Sequence, residues 1–155
     1  MEERFAPFCD AALCDGVKRL YVPSLDLPDK TLDKLIDHAL GCDAELTVVC
    51  SRTLTEAGVI DARFGKSPVM LLHEFGLLDR STVISGIYLD KDDLALMAQE
   101  GAPLVLTPTS DAGHGYGVAP VCAAVERCVK LLIGTGDVAY NRARDVVREA
   151  ALLRL

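Results

Sequence analysis

Residues able to do chemistry are few in this chain and widely spaced. His38, His73 and His114 are the only histidines, and their separation forms no metal site by spacing. His38 and His73 fall inside helical patterns. His114 lies instead in the glycine-rich run SDAGHGYGVAP (110–120), where Gly113, Gly115 and Gly117 alternate just after a strand pattern. Backbone amides in such a run can approach an anion or a carboxylate closely; a flexible loop is the other reading. A second glycine run, LLIGTGDVAYN (131–141), sets Gly134, Gly136 and Ala139 at the spacing of a dinucleotide fingerprint. The acidic residue that should follow about 20 positions later has no room, and no Lys-Ser or Lys-Thr pair makes a P-loop. The competing reading is a plain strand-to-helix turn carrying Asp137. Ser85 and Cys50 are nucleophile types at strand ends, with no base assigned to either.

These residues are positioned by an alternation of two periodicities. Short β-rich runs at 17–24, 44–51, 81–89, 102–108 and 129–135 read as strands buried on both faces. Between them, TLDKLIDHAL puts Leu32, Leu35, Ile36, Ala39 and Leu40 on one stripe and stops at Gly41, where a left-handed cap is expected. Ser67 and Pro68 open a second helix that Gly76 ends, and Asp90, Asp92 and Asp93 suit the start of a third that ends at Gly101. Pro120 opens a fourth helix. Asn141 is placed to cap a last one burying Val146, Val147, Ala150 and Leu153. Strand followed by helix, repeated, implies an α/β fold with a parallel sheet of about five βα units. Such a sheet is a partial TIM barrel (half-barrel) or an opened doubly wound sheet, with function at the C-terminal strand ends. Residues 1–16 read as an N-terminal segment that covers an open edge, and 17–155 as a single domain.

Composition narrows the function classes. The 155 residues are 50% hydrophobic and 25% charged, with a formal net charge of −7, which argues against a general nucleic-acid binder. No apolar run approaches the roughly 20 residues of a membrane helix, and the acidic N-terminus lacks a signal-peptide pattern. The six cysteines show no CxxC or zinc-ligand spacing. They read as reduced structural thiols of a cytoplasmic protein, with Cys122 and Cys128 in an apolar segment.

The run GKSPVMLLHEFGLLDRSTVISGIYLDKDDLALMAQEGAPLVLTPTSDAGHGYGVAPV (65–121), followed by KLLIGTGDVAYNRARDVVREAALL and preceded by TVVCSRTLTE, closely resembles the C-terminal half of the amidohydrolase-superfamily barrel. The nearest branch is the metal-dependent deaminases and chlorohydrolases acting on cytosine, S-adenosylhomocysteine and triazines. The resemblance implies a (β/α)8 barrel of about 250 residues or more and a zinc or iron ion activating water. It also implies metal ligands at three strand ends, where this sequence has Val49, Ser85 and Gly136, with Asp137 one position late. The His-x-His pair of the first strand has no counterpart, and the glutamate that handles protons in some relatives matches Arg52. No cofactor is therefore expected and no metal ligands are assigned.

Two functions follow from that resemblance. One is a non-catalytic binding or assembly subunit. The other is a hydrolase or deaminase, active when another chain supplies the His-x-His half or by a metal-free route through Asp137, Ser85 and Arg52. A third reading is a small-molecule domain that takes a nucleobase-like ligand through Thr109, Ser110, Gly113, His114, Gly115 and Gly117. Five βα units cannot close an eight-stranded barrel, so the expected partners are further copies of the chain or a complementary barrel half.

Overall fold

The computed structural model describes residues 19–153; the N-terminal segment 1–16 expected to cover an edge, together with Cys9 and Cys14, lies outside them. Five strands run parallel in chain order: β1 (Arg19–Val22), β2 (Glu45–Cys50), β3 (Ser81–Ser85), β4 (Leu104–Leu106) and β5 (Leu131–Ile133). The connecting helices are α1 (Asp29–Gly41), α2 (Leu54–Phe64), α3 (Pro68–Glu74), α4 (Lys91–Glu100), α5 (Pro108–Gly113) and α6 (Val121–Glu126), and α7 (Val146–Leu152) follows the last strand. Sequential strand order separates the two sheet architectures left open by the sequence. A doubly wound sheet reverses its strand order and so places helices on both faces. Right-handed crossovers in unbroken order send every helix to one face, as in a barrel.

Strand burial agrees. Leu20, Val22, Leu46, Val48, Cys50, Val83, Leu104 and Leu106 alternate along their strands and join the helices' Leu32, Leu35, Ile60, Leu72, Leu94 and Met97 in one core. The alternate positions make two cross-strand rows on the opposite face, Tyr21–Thr47–Thr82 and Val49–Ile84–Val105–Leu132. None of these seven residues joins that core cluster, and only Val49 among them is buried. Strands expected to be buried on both faces are therefore buried mainly on one, the other being closed only at Val49, because the described helices cover the first side.

Local signals account for several boundaries. Ser67 caps α3 by accepting from the Met70 amide at 3.1 Å, and Pro68 occupies its first turn. Asp90 accepts from the Asp92 and Asp93 amides, each at 2.8 Å, while Asp93 accepts from Asp90 N, which completes a capping box. Gly101 closes α4 in the left-handed region at φ +73°.

Other boundaries differ from expectation. Gly41 is the last residue of α1 rather than its left-handed cap, and Asp43, at φ +53°, takes that conformation. The strand expected over 81–89 ends at Ser85, where φ is +71°, so Gly86–Asp90 turns into α4. Helix α2, capped by Thr53 through the Glu56 amide at 3.1 Å, adds an element that periodicity passed over. Helix α7 departs furthest. Its cap is Asp145 and not Asn141, its Val146 and Val147 are exposed, and its one buried side chain is Glu149. Cys122 and Cys128 are likewise exposed rather than buried: α6 turns Val121 and Ala124 inward, which leaves Cys122 on its outer side, and Cys128 follows the helix in a turn at φ +58°.

Candidate functional site

The C-terminal strand ends converge on a hydrogen-bonded cluster built around Ser85. Its Oγ accepts from Arg52 Nε at 3.0 Å and donates to Asp111 Oδ1 at 3.1 Å. Thr107 Oγ1 donates to the other carboxylate oxygen at 2.9 Å. Ser85, Thr107 and Asp111 are all buried, so the carboxylate is held out of water by two hydroxyls while Arg52 supplies positive charge through the serine. Arg52 is the half-exposed member, its guanidinium 5.6 Å from the centre of the Tyr116 ring. Its backbone amide donates to Glu56 Oε2 at 3.2 Å. Burial raises the Glu56 carboxyl above its usual range, opposed by its bonds to Arg52, Ser24 and Thr53 and by the Arg52 charge. Beneath them, burial pushes the Cys50 thiol well up, assisted by Glu56 and Asp93. Cys50 is thus an inert core thiol rather than a nucleophile.

The glycine-rich run is organised differently from an anion cradle. Residues 108–113 form α5, so Thr109, Ser110 and Gly113 are helical and only Gly115 and Gly117 keep left-handed backbone. His114 Nδ1 lies 2.8 Å from Ser110 O, and the imidazole stacks on Tyr116 with centroids 4.9 Å apart and meets Tyr140 edge-on at 4.6 Å. A Cβ on Gly113 would fall 2.2 Å from the Tyr140 ring, so the glycine allows the two segments to pack rather than a ligand to enter.

Asp137 stands apart from Ser85 and Arg52. Its Oδ1 accepts from the Ala139 amide at 2.8 Å and its Oδ2 is 3.8 Å from His114 Nε2, so its role is to hold a turn beside the aromatic cluster. The Gly134–Gly136 stretch leads into turns, and the next helix starts at Val146. No helix N-terminus is therefore presented to a phosphate, and the dinucleotide reading does not hold.

Sequence reasoning missed three contributors here, Asp111, Tyr116 and Glu149, and reached Thr107 only as a strand end. The pairing of Thr107 with Asp111 has a signal in their four-residue spacing across the start of a helix, which a loop over 110–120 hides. Glu149 carried no signal. It is fully buried, with Oε2 accepting from Thr109 N at 2.9 Å and Oε1 from Asn141 Nδ2 at 2.5 Å. Through these bonds α7 is tied to the start of α5 and to the 134–145 segment.

No protein-family model matches the chain. It is 33% identical over 111 residues to the 5-methylthioadenosine/S-adenosylhomocysteine deaminase of Thermococcus onnurineus, covering 71% of this chain and 26% of that protein. With the enzyme of the same name from Desulforamulus reducens it shares 30% over 125 residues, 80% of this chain and 28% of the relative. The fold superposes on a zinc-bound adenosine deaminase from Xanthomonas campestris with a TM-score of 0.75 and 25% identity, over 97% of this chain and 36% of that one. The chain belongs to the amidohydrolase superfamily. The atrazine chlorohydrolase of Arthrobacter aurescens, complexed with zinc, has the same fold at a TM-score of 0.77 and 17% identity. This amidohydrolase domain spans about a quarter of the length of the deaminases it matches in sequence, 26% and 28% in the two cases.

The two zinc-containing neighbours overturn the expectation that no cofactor belongs here: in those proteins this fold is a zinc-carrying one. The residues that this amidohydrolase chain places at the matched strand ends do not themselves fit such an ion. Val49 is apolar and 2% exposed. The Ser85 hydroxyl is engaged by Arg52 and Asp111. Gly136 has no side chain, and a Cβ there would lie 2.3 Å from Ser110 Cβ. Among the described residues no group of three or more His, Cys, Asp or Glu side chains is placed to hold a metal, and none of their helices is long and apolar enough to cross a membrane.

Proposed function

We propose that this amidohydrolase-type segment is non-catalytic on its own and acts as a binding or assembly part of a deaminase-like barrel. The observation that supports this most is the state of Ser85. A hydroxyl that donates to a buried carboxylate and accepts from a guanidinium is committed to structure, and Arg52 brings a fixed positive charge to the place where a water-activating base would be needed. Of the three proposed catalytic residues, Ser85 and Arg52 belong to one network and Asp137 to another, so the set does not form a nucleophile and base within hydrogen-bond reach. The names of the sequence relatives supply the substrates to try. Ammonia release from 5-methylthioadenosine or S-adenosylhomocysteine, with zinc supplied, is expected to equal the protein-free blank. Zinc-dependent turnover by the isolated chain would refute the proposal.

A second reading is supported by the zinc in the adenosine deaminase neighbour: the segment contributes to a hydrolase whose ligands and catalytic groups come from the remaining strands. In that reading His114, Tyr116 and Tyr140 offer aromatic surface to a nucleobase-like ligand beside Ser110, Gly115 and Gly117. The two readings separate when the missing strands are restored. Turnover that appears only then favours the second.

A further inference from the structure

The Asp111 carboxylate is buried with half of its acceptor capacity unused. Oδ1 accepts from Ser85 Oγ at 3.1 Å and Oδ2 from Thr107 Oγ1 at 2.9 Å. An ionised carboxylate has about four lone-pair sites, so each oxygen keeps one without a donor. Arg52 reaches the group only through the serine, and no cation among the described residues sits on the carboxylate itself. At 6% exposure, a charge held by two hydroxyls alone lacks the direct partner that buried charges usually have.

Beside this carboxylate lies a cleft of about 230 Å³. Leu106 and Val121, which belong to the core on the helix side of the sheet, line its inner part. Ala112 of α5 and Leu152 of α7 supply side walls. Among the described residues lining it, Thr107 and Asp111 alone carry polar side chains; Val49, Ser85 and Gly136, and the His114–Tyr116–Tyr140 cluster, are not among them. The cleft is therefore distinct from the strand-end positions where the resemblance implies a metal. Its walls are also fixed in advance, because Glu149 of α7 accepts from the Thr109 amide of α5 at 2.9 Å. Val118 and Leu152, 81% and 59% exposed, give it an apolar mouth.

We propose that this cleft binds a small primary ammonium compound with an apolar body of about phenyl size, the ammonium on Asp111 and the apolar body against Leu106, Val121 and Leu152. Volume sets the size. An apolar cavity of about 150 Å³ accommodates benzene, so 230 Å³ leaves room for a ring and a short aminoalkyl chain. Charge sets the head group. An ammonium has three donors for the two unmatched lone pairs, whereas an alcohol brings one uncharged donor and an acid meets Asp111 as a like charge. Folding has already taken the carboxylate out of water, so association adds only the desolvation of the ligand. The net charge of −7 favours approach of a cation as well. The site goes beyond the assembly role and does not rest on it, since binding requires no turnover.

The probes are phenethylamine and its neutral isostere phenethyl alcohol, titrated separately into the isotope-labelled full chain while backbone amide resonances are followed by NMR. Phenethylamine is expected to give saturable shifts at 111–112, 117–119 and 152–153, with a Kd of about 1 mM or tighter. The alcohol should bind at least about tenfold more weakly, the order of a hydrogen bond to a charged group. Ala112 is exposed on α5, so Ala112→Leu fills the cleft with little effect on folding and should weaken phenethylamine at least about tenfold. Asp111→Asn should bring amine and alcohol to the same affinity. The wild-type comparison decides even where a variant fails to fold. Equal affinity of the two probes for wild type, or no saturable shift up to about 10 mM, would overturn the proposal. So would shifts centred on Tyr116 and Tyr140, or undiminished binding by an Ala112→Leu chain with a native spectrum. Zinc-dependent turnover by the chain alone would refute the non-catalytic reading and leave this site untouched.

Discussion

Replacing Gly136 by aspartate puts a carboxylate at the strand-end position where the amidohydrolase resemblance implies a metal ligand, and the structure says that it will not fit. The backbone at Gly136 has φ +60°, which costs a residue with a side chain about 1–2 kcal/mol. An added Cβ would lie 2.3 Å from Ser110 Cβ, 2.9 Å from Ser110 Oγ and 3.2 Å from Thr107 Cβ. Ser110 belongs to α5, whose first turn is bonded to Glu149, so it does not yield freely, and overpacking of this kind costs about 1–3 kcal/mol. Gly136 is itself exposed in a turn, which lets the segment relax outward and favours the lower part of the combined range of about 2–5 kcal/mol. In a domain of this size each kcal/mol moves Tm by about 2–4 °C, so Gly136→Asp is expected to lower Tm by about 5–10 °C. Thermal and urea unfolding should give a similar loss for Gly136→Ala, since the obstacle is the Cβ and not the charge. Gly58→Ala is the control: it sits inside α2 with nothing within 4 Å of an added Cβ and is expected to gain about 0.5–1 kcal/mol. Gly136→Asp within about 0.5 kcal/mol of wild type, the range of an inconsequential surface change, would refute the reasoning.

Three further outcomes follow from the same geometry. Truncating Glu149 to alanine leaves the Thr109 amide and the Asn141 carboxamide without their acceptor in a buried site and should cost about 2–4 kcal/mol in urea unfolding. In native protein, iodoacetamide should label Cys122 and Cys128 within minutes and Cys50 only on unfolding, since Cys50 is buried with its thiol pKa well raised; peptide mass mapping reads this directly. Burial raises the Glu56 carboxyl in the folded state, so folding binds its proton more tightly. That contribution is present below the unfolded carboxylate range, about pH 4, and is lost as pH rises through the raised value. Urea midpoints should therefore show Glu56→Gln gaining on wild type from pH 4 to pH 7, and a constant difference would contradict the burial.

The order of the five strands was legible in the sequence because each is a short apolar run punctuated by turn residues, and the ends of α3 and α4 because Ser67-Pro68, Asp90 and Gly101 are strong local signals whose hydrogen bonds close within one turn. Sheet sidedness was not. An apolar run reads alike whether one face or both are covered, and here the difference depends on strand order, a tertiary property. The residues of the strand-end cluster were visible only in part. Ser85 and Arg52 stood out as departures from a resembling family, but their link to Asp111 spans 26 residues from Ser85, and no local pattern announces it. Helix α7 shows the limit most clearly. Its apolar stripe predicts burial of Val146 and Val147, yet Glu149 turns inward because two polar groups await it there, while the valines are left uncovered by the described residues.

Single-turnover deamination tests the central claim most directly, because it registers one chemical event per chain even where steady-state turnover is too slow to see. With the purified chain in excess over 5-methylthioadenosine and zinc supplied, the account predicts no conversion beyond the protein-free control. Wild type, Ser85→Ala and Arg52→Ala should be indistinguishable. Conversion of the nucleoside by wild type, lost in Ser85→Ala, would contradict it.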